Sequence, residues 1–353
     1  MSATFHSLRV AAIDELTDDA VALTFAVPPE LAADFAFRHG QHLSIRGGDD
    51  VRRSYSICTP PSSGVLRIGV KRLPGGAFSE GVVERLRVGD HLDVMTPAGR
   101  FTSELDPSAR RTVLAVAAGS GITPILSIMA AILEGEPGSS VTLVYANRTH
   151  ASVMFLDEVH DLKDRFPDRL QIVHVLSREA QDVELLSGRL DGPRLGKILD
   201  ALLPAAEVDT WFLCGPQQLV TELRGTLDAL GVDPAHVHTE LFHADPVPRA
   251  PVEALAGTPE GAATVTIRLD GRASDLDLRP DGVPVLEAAL RLRPDLPFAC
   301  KGGVCGTCRA RLVEGTVAMD ANYALEPEEI ERGYVLTCQS HPTSARVVLD
   351  YDG

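Results

Sequence analysis

Cys300, Cys305, Cys308 and Cys338 are spaced C-x4-C-x2-C-x29-C. Thiolates so spaced can hold two irons in a [2Fe–2S] cluster of the plant type. Three sulfurs would converge from one loop, Cys300-Lys-Gly-Gly-Val-Cys305-Gly-Thr-Cys308, and the fourth from Leu336-Thr-Cys338-Gln339. Gly302, Gly303 and Gly306 suit such a loop. Glycine enters left-handed conformations without strain and leaves main-chain N–H groups free to approach sulfur. Zinc and disulfides are the competing readings. Structural zinc prefers two separated C-x2-C-like pairs, and this chain has one. Six cysteines in 353 residues do not suggest a disulfide scaffold. The chain is expected to move single electrons. Cys58 and Cys214 remain over, and lone cysteines are mostly small buried hydrophobes.

Four further segments stand out. They are Arg53-Ser-Tyr55-Ser56, then Val70-Lys71 with Gly75-Gly76-Ala77-Phe78-Ser79, then Gly119-Ser-Gly121-Ile-Thr123-Pro124, then Cys214-Gly215-Pro216. Gly76 and Ser79 open a predicted helix and Gly119 to Pro124 joins a strand to a helix. Free N–H groups and the helix dipole favour phosphate at such points. The second glycine segment is not G-x-G-x-x-G, so no standard dinucleotide fingerprint is claimed for it. Read alone, Arg53-Ser-Tyr-Ser is equally an ordinary strand of alternating polar residues.

The elements that must position these residues fall into three stretches with different periods. From Leu8 to Met95, short strands such as Ala20–Val27, Gln41–Ile45, Ser54–Cys58, Val65–Val70 and His91–Val94 predict an antiparallel barrel, interrupted by a helix around Ser79–Leu86. From Arg111 onward strands alternate with helices, which predicts a doubly wound parallel sheet whose ligands sit at the strands' carboxyl ends. Ala244 to Ala263 is rich in Pro, Ala and Gly and reads as a linker. A strand at Thr264–Leu269 and a helix at Val285–Arg291 then precede the cysteine loop. The expected fold is multidomain α/β and β, with boundaries at 1–107, 108–243, 244–263 and 264–353.

The net charge of −16 argues against nucleic acid and against anionic lipid as partners. The run Val113 to Leu133 lacks charge, but glycines and a proline interrupt its centre. A buried strand, a turn and a helix explain it better than a membrane span. With no signal-peptide pattern at the start, the expected location is cytoplasmic.

Taken in order, the motifs of the first 240 residues or so resemble the ferredoxin–NADP reductase superfamily. The resemblance implies that Arg53 meets a flavin phosphate, Tyr55 stacks on the isoalloxazine ring and Ser56 places its hydroxyl near flavin N5. It implies flavin contacts for Val70, Lys71, Gly76, Ala77, Phe78 and Ser79, and a nicotinamide-nucleotide site at Gly119, Gly121, Thr123, Pro124, Cys214, Gly215 and Pro216. Glu240 and Phe242 resemble the segment that closes over the flavin. Ser177-Arg178 resembles the pair that meets the 2′-phosphate in NADP-using members, and Arg148 would add charge, which favours NADPH over NADH. Ser56 and Tyr55 are the catalytic candidates, in the sense of positioning.

The last domain adds a β-grasp ferredoxin to this order. Leu296 to Cys308 and Met319 to Ser340 resemble the family of reductase subunits of phenylacetyl-CoA epoxidase. The resemblance implies FAD, a [2Fe–2S] cluster and a multi-subunit di-iron oxygenase partner. Pairs of electrons from NADPH would be released singly through the flavin to the cluster. A reductase of another aromatic oxygenase, with FMN or FAD, or an electron-transfer subunit of a dehydrogenase complex, is the alternative. Lys301, Arg309 and Arg311 bring positive charge near the cysteine loop and are expected to help orient the partner.

Overall fold

The computed structural model describes residues 4–47, 51–76, 78–242 and 261–353, apart from the side chains of Val83 and Pro327. They divide into two compact units, one spanning His6–Phe242 and one taking in Gly261–Gly353. The expected linker and Ala77 fall mostly or wholly outside the described residues.

The first unit opens with strands β1 (Phe5–Thr17), β2 (Ala20–Ala26), β3 (His42–Arg46), β4 (Arg52–Ser56) and β5 (Leu66–Lys71), then helix α1 (Ser79–Arg85) and strand β6 (His91–Met95). They pair in the order β4-β3-β6-β1-β2-β5, and a bridge between Ile57 and Ile68 joins the two ends into a barrel. Leu8, Val10, Leu23, Leu43, Ile45, Ile68 and Val70 fill the interior, as the period-2 alternation of strands dictates.

The chain then runs through β7 (Thr112–Ala118), α2 (Ile122–Gly135), β8 (Ser140–Asn147), α3 (Leu156–Arg165), β9 (Leu170–Leu176), α4 (Gly192–Leu202), β10 (Thr210–Gly215), α5 (Gln217–Ala229) and β11 (Val237–Leu241). The sheet order is β11-β10-β7-β8-β9, with every pair parallel. Successive strands step outward from β7 on one side, and the chain then crosses to β10 on the other. The turns after β7 and β10 therefore lie side by side at the switch point, where such sheets bind ligands. The apolar run seen in the sequence is β7 plus α2, whose residues from Ile122 to Leu133 are all buried. Among the described residues no helix is long and apolar enough to cross a membrane.

The barrel and the parallel sheet share a core, which is why they form one unit. Ala20, Ala22, Cys58 and Phe101 cluster with Ile125, Ile128, Met129 and Phe155. Ser127 Oγ donates to the Thr59 carbonyl at 2.6 Å, and Arg67 pairs with Glu158 at 2.9 Å.

One buried ion pair fastens the end of this sheet at which β7 begins. Arg111 reaches Glu136, whose side chain is fully buried, at 2.6 Å, and Ser139 Oγ donates to the same carboxylate at 2.7 Å. Arg169 caps the carboxyl end of α2 through the carbonyls of Leu133 and Glu136. Burial pushes the Glu136 pKa up, but Arg111, Ser139 and the Asp106 N–H together hold it below the usual carboxylate value. Glu136→Gln leaves Arg111 without its counter-charge and is expected to cost about 3 kcal/mol at neutral pH. Because the folded-state pKa is depressed, this contribution is complete above the ordinary carboxylate range. It disappears as pH falls through the depressed value. Urea unfolding followed by the single tryptophan, Trp211, buried in β10, checks it. The gap between wild type and variant closes on acidification; a constant gap would show that charge is not the cause.

The second unit holds β12 (Ala263–Leu269), β13 (Arg272–Leu278), α6 (Val285–Ala289), β14 (Arg309–Glu314), β15 (Val317–Met319), α7 (Pro327–Glu331), β16 (Tyr334–Leu336), β17 (Ser340–Pro342) and β18 (Arg346–Asp350). Its main sheet runs β13-β12-β18-β14-β16, with β12 and β18 parallel and the other pairs antiparallel. Val265, Ile267 and Leu269 alternate inward from β12 and pack with Val285, Leu286 and Ala289 of α6. This is the β-grasp arrangement expected for the last domain.

Candidate functional site

In the first unit the chemistry gathers where β4, β10 and β11 end. Strand β4 pairs with β3 so that Ser56 lies opposite His42 and Tyr55 opposite Leu43. Ser56 is buried, and its Oγ donates to Glu240 Oε1 at 2.9 Å across 184 residues of sequence. Glu240 in turn lies beside Cys214 in the parallel β10–β11 register. Burial, and then the Glu240 charge, push the Cys214 thiol up. Cys214 is therefore a neutral, small group at the strand end, as the sequence suggested. A Cβ on Gly121 would collide with the Cys214 carbonyl, so only glycine lets the two switch-point turns touch. A hydroxyl, a thiol and a carboxylate are thus brought together at the carboxyl ends of these strands. The sequence named these residues singly, and nothing local in it signalled the Ser56–Glu240 bond.

Tyr55 and Phe78 lie with ring centroids 5.6 Å apart at 39°, and burial pushes the Tyr55 phenol pKa up. Arg53 is exposed, with its Nη1 donating to the Arg52 carbonyl at 2.8 Å. Val70 buries its side chain in the barrel core, and Lys71 pairs with Asp19 at 3.0 Å. Ahead of α1, Ser79 Oγ accepts from the Leu73 N–H at 3.1 Å, and the Gly76 N–H donates to the Leu73 carbonyl at 2.8 Å. A Cβ on Gly76 would strike Ser79 Oγ, so Gly76 contributes closeness of the backbone at this turn.

In the turn after β7, Gly119 takes φ +54 and has open space where a Cβ would stand. Tyr145 holds this turn by donating to the Gly119 carbonyl at 3.1 Å, and Thr123 does so through the Ser120 carbonyl at 3.0 Å. A main-chain cradle with no side chain over it, at the head of α2, fits a dinucleotide. Pro124 is buried within α2, and Pro216 is exposed after β10. Arg148, Ser177 and Arg178 stand exposed beyond β8 and β9. The Ser177 and Arg178 N–H groups donate to Asn147 and Arg148 carbonyls at 2.9 and 2.8 Å, which holds the two arginine-bearing loops together. Among the described residues neither guanidinium is hydrogen-bonded or ion-paired, leaving both charges available to an anion. Phe242 is 39% exposed after β11, so it is not the core residue that an apolar strand suggests.

In the second unit the four cysteines come together as two pairs. Cys300 and Cys305 lie close enough to set each other's acidity, as do Cys308 and Cys338. The partner thiol is the main influence within each pair, pushing Cys300 and Cys338 down and Cys305 and Cys308 up. The Gly302 and Cys305 N–H groups donate to Cys300 Sγ at 3.3 and 3.4 Å. Thr337 ties the second pair, its Oγ1 donating to the Cys308 carbonyl at 2.9 Å and meeting the Tyr351 hydroxyl at 2.7 Å. Among the described residues no group of three or more acidic, histidine or cysteine side chains surrounds a single ion position. Two thiol pairs, with N–H groups turned toward sulfur, fit a two-iron centre. Gly303 and Gly306 take φ +75 and +67, the role expected of them, whereas Gly302 does not and Lys301 does so at +52. Lys301 pairs with Glu287 at 2.7 Å and Arg309 with the buried Glu329, so two of the three expected docking cations are already engaged within the unit.

Three family descriptions match the chain in order. Residues 7–103 match an oxidoreductase FAD-binding domain, 115–224 an oxidoreductase NAD-binding domain and 267–343 a 2Fe-2S iron-sulfur cluster binding domain. The chain is 43% identical to a component polypeptide of the 1,2-phenylacetyl-CoA epoxidase of Escherichia coli (strain K12), over 99% of this chain and 98% of that one. It is 35% identical to the ferredoxin reductase component of 3-ketosteroid-9-alpha-monooxygenase of Rhodococcus rhodochrous, covering 98% and 96%. In fold it is similar to phthalate dioxygenase reductase, with a TM-score of 0.58, 24% identity and 98% of each chain covered. The chain belongs to the ferredoxin–NADP reductase-type family of oxidoreductases that join a FAD-binding, an NAD-binding and a C-terminal 2Fe-2S domain, the family that includes this 1,2-phenylacetyl-CoA epoxidase component.

Proposed function

We propose that this chain takes electrons from NADPH and delivers them, by way of FAD and the [2Fe–2S] cluster, to the oxygenase component of a phenylacetyl-CoA epoxidase system in phenylacetate degradation. The observation that carries this reading is 43% identity along nearly the whole of both chains, against 35% to the ketosteroid system. The partner is a multi-subunit di-iron protein and the setting is the cytoplasm. The working domains are 1–107, 108–243 and 264–353, joined by 244–263.

When bound, the flavin supplies the conversion from a two-electron donor to a one-electron acceptor. The residues of this chain bind and orient. Tyr55 and Phe78 give the flavin an apolar aromatic seat, Arg53 meets its phosphate, and Val70, Lys71, Gly76, Ala77 and Ser79 border it. Ser56, aimed by Glu240, fixes the reacting edge. Gly119, Gly121, Thr123, Pro124, Cys214, Gly215 and Pro216 shape the floor for the nicotinamide nucleotide, and Phe242 closes over the flavin. Cys300, Cys305, Cys308 and Cys338 ligate the cluster. The test is reconstitution: the chain supports NADPH- and phenylacetyl-CoA-dependent oxygen uptake with the oxygenase subunits of the epoxidase. If it serves a ketosteroid oxygenase component as well or better, the assignment of partner is wrong.

The two unpaired guanidiniums support NADPH over NADH. Arg178→Ala is expected to raise KM for NADPH roughly ten- to a hundredfold, the loss of a charge-assisted hydrogen bond to phosphate, while NADH is hardly affected. Steady-state kinetics with both coenzymes decide it; equal losses would make Arg178 structural.

A further inference from the structure

Gln339, next to the fourth cysteine, has a side chain held between both halves of the cysteine site. Its Nε2 donates one hydrogen to the Lys301 carbonyl at 2.9 Å and shares the other between the Cys338 carbonyl at 3.0 Å and Cys338 Sγ at 3.7 Å. The Gln339 main chain is pinned as well: its N–H donates to the Leu336 carbonyl and its carbonyl accepts from the Asp320 N–H, both at 2.9 Å. Its Cγ lies 3.2 Å from where a Cβ on Gly303 would stand, so the side chain rests on the three-cysteine loop where glycine leaves room. The carbonyl it takes belongs to Lys301, one of three non-glycine residues at positive φ among the described residues. A left-handed residue turns its carbonyl out of line with its neighbours, and the Gln339 amide meets it there.

We infer that the Gln339 side-chain amide is a positioning residue that raises the reduction potential of the cluster through the Cys338 sulfur. The inference rests on Cys338 being a cluster ligand. Reduction adds negative charge that spreads onto the sulfurs, and a donor fixed against one of them stabilises the reduced form more than the oxidised form. The Cys300 sulfur receives main-chain N–H groups, which any sequence folding this loop would supply. Cys338 meets a main-chain N–H as well, from Gly303, but its Gln339 donor is a side chain, so a single substitution can remove that one without redrawing the loop. The Lys301 contact keeps the amide from rotating away, and the contacts to Cys338 are half-buried, where a hydrogen bond weighs more than in water.

The test is a spectroelectrochemical titration of the full-length, cofactor-loaded chain with Gln339→Leu and Gln339→Glu, alongside iron counts and electron paramagnetic resonance of the reduced state. Both variants are expected to keep the cluster. Gln339→Leu lowers the equilibrium constant for reduction roughly three- to tenfold, about 30–60 mV for a one-electron couple. Gln339→Glu lowers it further, because a carboxylate sets an acceptor and a charge where the donor stood. Unchanged potentials in both variants overturn the inference. So does loss of the cluster from both, since the amide would then be holding the loop and not tuning the electron's energy. Failure of the ligand reading would appear separately, as a Cys338→Ser chain that keeps its iron.

Discussion

Cys305→Ser or Cys338→Ser is expected to abolish the iron–sulfur absorbance and electron delivery to the oxygenase, while NADPH-dependent ferricyanide reduction stays near the wild-type rate. Each change removes one member of a different thiol pair. A two-iron centre that loses a thiolate on either iron loses a ligand that serine replaces poorly. The flavin and nucleotide side survives because His6–Phe242 is a compact unit with its own core, apart from the C-terminal one. Iron and flavin counts on the purified variants, with both activities measured together, check the claim. Retained iron would remove these cysteines from the ligand set. Loss of ferricyanide reduction along with the cluster would show that the two units do not stand independently.

The second large effect is expected at Ser56. Ser56→Ala removes the hydroxyl that donates to Glu240 at 2.9 Å and should slow flavin reduction by NADPH about a hundredfold, the scale for losing one preorganised polar group at a reacting centre. Flavin content should not change, because the aromatic pair Tyr55–Phe78 and Arg53 are untouched. Glu240→Gln should lose less, since its amide oxygen can still accept from Ser56. Stopped-flow bleaching of the flavin band under NADPH measures both. A Ser56→Ala rate within twofold of wild type would reduce the Ser56–Glu240 bond to a structural tie between barrel and sheet.

Much of this molecule is local, and what is local was legible in the sequence. Cluster chemistry lies in the spacing Cys300 to Cys308 with Cys338, because three thiols on one short loop leave few other uses. The barrel, the parallel sheet and the last domain show as changes of hydrophobic period. Period records which side of an element is buried, so β12 alternates while α2 is apolar all round. The glycine turn after β7 was visible as a break in an apolar run.

The tertiary structure decided what depends on register between distant segments. The meeting of Ser56 with Glu240 and Cys214 follows from which strand pairs with which, across 184 residues for the first bond. So does the sorting of four cysteines into two pairs, and the engagement of Lys301 by Glu287 and Arg309 by Glu329, which spacing alone left as free charges. The barrel and the parallel sheet, distinct in period, share a core because Ala20, Ala22 and Cys58 face α2. Sequence periodicity reports that a face is buried; only the folded chain determines what it is buried against.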